Sequence, residues 1–292
     1  MDPKTKTIAV IMAIIILAAA AYYLYSESNK PGYVKNVAGV PVSSKYPFEE
    51  LANKTSAIGL HTYDSGAETT CNLELSGVLV AGGAVPDRKG YDIQLQRGPQ
   101  EIVLDWKGAF IRGETDDELL KACHVFICIR EGLDCPKNLM DIKNITLRNR
   151  DMLILLDNRT QRDAIIGFVE LEGALGYLQA QLADTNGDGT LNQTEVSGNK
   201  FHIYPYMMNG DTCKLLEFRS AIEQLNITND TTPCESLYRS GIFLEKSKTN
   251  GIAIDGQKIM LTGDDAHIHT GAVIVRDILA PEWIRIFNRA GV

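Results

Sequence analysis

Residues 102–129 read IVLDWKGAFIRGETDDELLKACHVFICI, and residues 252–279 read IAIDGQKIMLTGDDAHIHTGAVIVRDIL. Aligned without a gap at an offset of 150, they match at Ile102/Ile252, Asp105/Asp255, Gly113/Gly263, Ala122/Ala272 and Val125/Val275. Each copy opens with alternation of the kind a half-buried strand shows. Each then breaks at turn residues, Asp105–Gly108 or Asp255–Lys258, and resumes as a second strand. A helical period follows. Its apolar stripe is Leu119, Ala122, Val125, Ile129 in the first copy and Ile268, Ala272, Val275, Leu279 in the second. Thr115 and Glu118 have capping-box spacing. Asp264 and Asp265 place negative charge at the positive end of the second helix, and Pro281 stops it. The unit is therefore ββα, used twice.

Working outward, Met152–Leu156 reads as a strand and Thr160–Leu182 as a helix. The helix stripe is Ala164, Phe168, Leu171, Leu175, Leu178, Leu182, although Gly167, Gly173 and Gly176 lower its helix propensity. A helix is expected over Cys213–Leu225 and a strand over Gly241–Glu245. Upstream, strands are expected at Asn72–Val80, Tyr91–Gln96 and Glu101–Leu104, with a short helix over Tyr46–Asn53. The expected fold is α+β: an antiparallel sheet with packed helices, built on two ββα-like repeats, behind one N-terminal transmembrane helix. The body would span 47–292, with possible halves 47–150 and 151–292.

That N-terminal helix is read from Thr7–Tyr25, TIAVIMAIIILAAAAYYLY, a run of 19 residues without a charge. At about 1.5 Å per residue it matches a bilayer core of about 30 Å. Lys4 and Lys6 precede it, so residues 1–6 are expected in the cytoplasm and the body outside. Residues 26–46, polar and containing Pro31 and Pro41, read as a tether. The alternative is a cleaved signal peptide ending in the alanine run Ala18–Ala21. Both place the body outside the cytoplasm.

Two features agree with that placement. Asn53, Asn144, Asn158, Asn192, Asn226 and Asn229 each have Thr two residues later, where chance composition gives about 1.7 such sites. All six cysteines follow the apolar run, an even number suited to disulfides. The first pairing expected is Cys128 with Cys135, then Cys213 with Cys234, leaving Cys71 for Cys123. A metal cluster of Cys123, His124, Cys128 and Cys135 would have spacings unlike the common zinc patterns.

The chemistry-bearing segment is DTNGDGTLNQTE, residues 184–195. Calcium takes six to eight hard oxygens. Asp184, Asn186 and Asp188 would each supply one side-chain oxygen, Thr190 its backbone carbonyl and Glu195 two oxygens. Asn192 would act through water. Gly189 permits the sharp turn, and Leu191 would pack inward. The segment resembles the calcium loop of EF-hand and dockerin-type modules over about 13 residues, with Glu at the last position as in EF-hands. That resemblance implies a bound Ca2+. Ser197 and Gly198 and the extended FHIYPY argue against an outgoing helix, and no second loop accompanies the first. A static clamp is expected rather than a sensor. Asn192 belongs to both the loop and a sequon, so Asn53, Asn144, Asn158, Asn226 and Asn229 are the glycosylation candidates.

The 292-residue chain is 45% hydrophobic and 23% charged, ordinary for a globular protein, and its net charge of −8 argues against a nucleic-acid partner. No nucleophile elbow, phosphate-binding glycine loop or His-Glu-x-x-His occurs. His267 and His269 point apart on a helix. The acidic groups Asp116–Glu118 and Asp264–Asp265 read as helix caps rather than a catalytic pair. The expectation is a membrane-anchored extracellular calcium-binding protein with a binding or structural role, partnered by a surface protein or glycan. A lone loop with many sequons is similar to exported surface proteins of archaea. A filament subunit and an exported hydrolase are the alternatives.

Overall fold

The computed structural model describes residues 12, 15–19, 22–23, 32–55, 79–80, 92–148, 151–199, 201–217, 226–237 and 240–281. From Leu51 onward these residues form seven α-helices, and the strands assemble into two mixed sheets. The first sheet contains β1 (Tyr33–Val37), β2 (Val40–Ser44), β3 (Leu79–Val80), β4 (Asp92–Arg97), β5 (Glu101–Leu104) and β6 (Gly108–Gly113), in the order β1-β2-β5-β6-β4-β3. The second contains β7 (Asp151–Asp157), β8 (His202–Asn209), β9 (Thr212–Glu217), β10 (Asn226–Pro233), β11 (Gly241–Lys246), β12 (Gly251–Asp255) and β13 (Lys258–Gly263). Its order is β10-β9-β8-β7-β11-β13-β12. The helices are α1 (Leu51–Thr55), α2 (Asp116–Glu131), α3 (Asp141–Arg148), α4 (Arg162–Ala183), α5 (Gln193–Gly198), α6 (Cys234–Leu237) and α7 (Asp265–Leu279).

The repeat folds twice in the same way. In the β5–β6 hairpin Ile102 faces Ile111 and Leu104 faces Ala109; in the β12–β13 hairpin Ile252 faces Leu261 and Ile254 faces Ile259. Each hairpin's second strand is flanked by a parallel strand, β4 or β11, which pairs Arg97 with Gly113 and Lys246 with Gly263. Arg97 and Lys246 then form ion pairs with the first residue of the following helix, Asp116 and Asp265. The N-caps Thr115 and Asp264 each accept from the N–H three residues on. These correspondences are offset by 149, so the gap-free alignment holds through the hairpin and slips by one residue at Glu114. Gly113 is required by proximity: a Cβ there would lie 2.3 Å from the backbone nitrogen of Leu119. Gly263, at φ +145°, is crowded by Asn250 and His267.

The antiparallel sheet expected from the hairpins is incorrect for both sheets. β7 pairs in parallel with β8 and β11, and β11 in parallel with β13. The reason lies in β7, DMLILLD, where four consecutive residues, Ile154 to Asp157, are buried. Strands covered on both faces lose the alternation of a one-sided strand. The 22-residue α4 supplies the crossover that a parallel β7–β8 pair needs. Even-numbered Ile154 and Leu156 join the main core with α4 and α7, while Leu155, Phe243, Met208, Cys213 and Cys234 form a second cluster on the opposite face.

Four further expectations are corrected. Of the expected tether 26–46, residues 32–46 are described and are built into the fold: β1 and β2 pair as a hairpin, β2 joins β5, and Val40, Val42 and Tyr46 are buried. The helix expected from Cys213 is the strand β9, held between β8 and β10; the rest of that expectation, residues 218–225, lies outside the described residues. The single stripe of α2 is too narrow, since Leu119, Leu120 and every residue from Ala122 to Cys128 are buried. A helix apolar all round is one enclosed on more than one side, and α2 touches β6, α1 and α7. Finally, no helix among the described residues is long and apolar enough to cross a membrane. Of the run 7–25 only residues 12, 15–19 and 22–23 are described, and a spanning helix is not part of the described fold.

The two repeats meet through their helices and through residues 133–135. Asp134 donates to the Asn250 carbonyl at 3.0 Å and accepts from Ile252 at 2.8 Å, extending the β12 edge by one bridge. The His267 ring contacts Asp264 at 2.6 Å and the Glu131 carbonyl at 3.1 Å, tying the start of α7 to the end of α2.

Candidate functional site

The long α4 ends at Ala183, with Asp184 as its C-cap. The chain then turns back on itself, using Gly187 at φ +72° and Gly189 at φ +77°, conformations in which glycine carries no Cβ penalty. Asp184 accepts through one carboxylate oxygen from Gly187 N–H at 2.8 Å and through the other from Gly189 N–H at 2.9 Å. Asn186 Oδ1 accepts from Asp188 N–H at 2.9 Å, and Asp188 Oδ1 accepts from the Thr190 N–H and hydroxyl at 2.8 and 2.6 Å. The Thr190 hydroxyl, foremost, holds the Asp188 carboxyl below its ordinary range.

Contrary to expectation, an outgoing helix is present: α5, six residues long, starts directly after Asn192. Asn192 is its N-cap and accepts from Thr194 and Glu195 N–H, while Glu195 accepts from Asn192 N–H at 3.1 Å. This reciprocal capping box satisfies donors that a helix start would otherwise orphan. The capping chemistry of Asn192 and Glu195 outweighs the poor helix propensity of Ser197 and Gly198 over so short a span. Glu195, only 7% exposed, reaches across the loop: its other oxygen accepts from Thr185 N–H at 3.1 Å and Asn186 N–H at 3.3 Å. Leu191 is exposed at 44%, so it does not pack inward as expected.

The donors therefore share one loop, all of them oxygen: Asp184, Asn186, Asp188, Thr190, Asn192 and Glu195. That is the chemistry of a hard cation. Yet among the described residues no group of three or more His, Cys, Asp or Glu is arranged to hold a metal ion. The carboxylates are turned onto backbone N–H groups instead. Each carboxylate oxygen has two lone-pair sites, so the two Asp184 oxygens, with one N–H each, keep spare capacity, whereas Asp188 Oδ1 and one Glu195 oxygen already accept two donors or more.

Two disulfides lie wholly among the described residues. Cys128 pairs with Cys135 across the turn after α2, with Cα atoms 6.1 Å apart. Cys213 pairs with Cys234, Cα atoms 5.0 Å apart, bracketing β9 and β10 rather than a helix. No described cysteine is free; Cys71, expected to partner Cys123, lies outside the described residues. His124, beside Cys123, is fully buried with neither ring nitrogen hydrogen-bonded, and burial drives its pKa down to about 3. The acidic groups act locally: Asp116 pairs with Arg97, Glu118 accepts from Glu114 N–H, and Asp265 pairs with Lys246. His269 faces Glu170, away from His267.

Among the sequons, Asn53, Asn144, Asn158 and Asn192 are exposed. Thr55 and Thr146, the threonines that complete the sequons of Asn53 and Asn144, are buried. Asn226 and Asn229 lie on β10. The sequence reading passed over Asp157, Arg159 and Glu245, which the second sheet brings together. A charged residue ending each of two apolar runs, LILLD and GIFLE, was the available signal. Comparison with protein-family models, with curated proteins and with solved structures finds no match.

Proposed function

We propose that this chain is an exported protein of the cell surface whose α+β body is clamped by one calcium ion at residues 184–195 and serves a structural or binding role. The observation that carries the reading is the helix–loop–helix at α4–α5, where Glu195 reaches back over the loop to Thr185 and Asn186. Asp184, Asn186, Asp188, the Thr190 carbonyl and Glu195 would hold the ion, with Asn192 acting through water. The ion would neutralise the three carboxylates of the loop and pin the end of α4 to the start of α5. A six-residue outgoing helix and the lack of a paired loop in the sequence favour a fixed clamp over a sensor, which needs two helices to swing apart. Extracellular modules of this kind bind weakly, with Kd of about 10⁻⁴–10⁻³ M. Export is supported by the two cysteine pairs and by the excess of sequons. The partner class is another surface protein or a glycan.

The test is calorimetric titration of calcium into the full chain and into Asp184→Ala, with thermal melts in calcium and in chelator. Saturable binding that Asp184→Ala abolishes, with a melt raised by calcium, is expected. Identical melts in calcium and chelator would overturn the reading.

A further inference from the structure

In the second sheet the parallel strands run β8-β7-β11-β13, and β7 and β11 are neighbours whose connections leave in opposite directions. β7 passes through α4 to β8 on one side; β11 passes through β12 to β13 on the other. In open sheets of parallel strands such a reversal leaves a crevice beyond the carboxyl ends of the strands, the place where ligands bind. A cavity of about 390 Å³ opens there, lined by Asp157, Asn158, Arg159, Met208, Gly210 and Glu245.

Its polar wall follows from register. Leu156 pairs with Leu244, so Asp157 and Glu245 come next on adjacent strands, on the face that carries Leu155 and Phe243. Two carboxylates thus stand side by side above an apolar floor. They are not equivalent. Asp157 is 6% exposed and accepts from Arg159 Nε at 3.0 and 2.9 Å, from Arg159 N–H at 2.9 Å and from Lys246 N–H at 3.2 Å. Burial opposes its ionisation, but those hydrogen bonds prevail and hold its carboxyl below the ordinary range. The Glu245 side chain makes no hydrogen bond or salt bridge among the described residues. Burial, then the Asp157 charge, push its carboxyl up, and the charges of Arg159 and Lys258 offset this only in part. Asp157 and Arg159 pair with each other, which leaves the Glu245 carboxylate as the unmatched charge of a desolvated wall. Such a charge is stabilised by a partner of opposite sign.

We propose that this cavity binds a small organic cation carrying a primary ammonium group, with Glu245 as its counter-ion. The site is independent of the calcium loop. α4 leaves the cavity end of the sheet and runs about 33 Å, at 1.5 Å per residue, before the loop begins.

The full chain is titrated calorimetrically with n-butylammonium chloride, and separately with sodium acetate and with calcium chloride. Saturable butylammonium binding is expected. It should weaken at least tenfold in Glu245→Gln, which keeps the shape and removes the charge. In Arg159→Gln the cavity wall loses a positive charge, and binding should tighten severalfold. The opposite directions of the two variants separate a charge effect from misfolding. Glu195→Gln should leave butylammonium binding unchanged whatever it does to calcium. No butylammonium binding, equal binding in Glu245→Gln, acetate binding that Arg159→Gln abolishes, or calcium binding that Glu245→Gln abolishes would each overturn the proposal.

Discussion

Replacing Glu195 by glutamine separates helix capping from the calcium binding proposed for the loop. In the protein without calcium, the substituted side chain keeps one carbonyl oxygen for Thr185 and Asn186 N–H. Its amide nitrogen cannot accept from Asn192 N–H, which Glu195 meets at 3.1 Å. A part-buried donor then faces another donor, at about 1–3 kcal/mol. With calcium at a hundred times its dissociation constant, the proposed site would add about 2.7 kcal/mol to the wild-type chain by mass action. A neutral amide cannot replace the bidentate carboxylate, so the variant forfeits this as well. The expected loss is therefore about 1–3 kcal/mol in chelator and about 4–6 kcal/mol in calcium. At roughly 2 °C per kcal/mol for a chain of this size, the melting point should fall by about 2–6 °C in chelator and about 8–12 °C in calcium. Differential scanning calorimetry of both proteins under both conditions, disulfides intact, closes the cycle. An equal fall in calcium and chelator would mean that Glu195 only caps α5. No fall in chelator would refute the Glu195 hydrogen bond to Asn192 N–H.

Two glycines in different settings provide a second check. Gly113→Ala places a Cβ 2.3 Å from the Leu119 backbone nitrogen, and a loss of about 3 kcal/mol or more is expected; Gly256→Ala, at φ +61° with open space, should lose only about 1–2 kcal/mol in the same denaturant titration. His124 sets a pH dependence. Its folded pKa of about 3 lies below the unfolded value near 6.5, so its proton binds the unfolded chain preferentially. Stability should therefore fall by about 1.4 kcal/mol for each unit by which pH is lowered between those values, and His124→Leu should remove that one-proton slope from urea midpoints measured across the window. Cys213 and Cys234 are separated by 21 residues in sequence, and Cys128 and Cys135 by 7; on the chain-entropy account their removal should destabilise by about 3 and about 2.5 kcal/mol respectively, read by denaturant titration. Peptide mapping should find Asn192 without a glycan, because its side-chain oxygen is committed to Thr194 and Glu195 N–H; an occupied Asn192 would mean the loop is open when modification occurs.

What could be read from the linear chain was whatever neighbouring residues decide together. The two hairpins depend on turn residues and alternation within a dozen positions. The helices that follow them depend on caps and on a period of 3.6. The oxygen donors of 184–195 lie within one loop, and Cys128–Cys135 spans a single turn. The tertiary structure decided the rest, because the deciding partners are remote. Whether β7 lies in a parallel or antiparallel sheet depends on β11, whose Leu244 meets Leu156 only after the chain has gone out through β8, β9 and β10. Cys213 lies in a strand because β8 and β10 close around it, overriding the local helical pattern. Val40 and Val42 leave the expected tether because β5 offers an edge about sixty residues later. The cavity is the clearest case: Asp157 and Glu245 are ordinary ends of two apolar runs. Only the reversal of strand connections, a property of the whole sheet, sets one carboxylate beside the other.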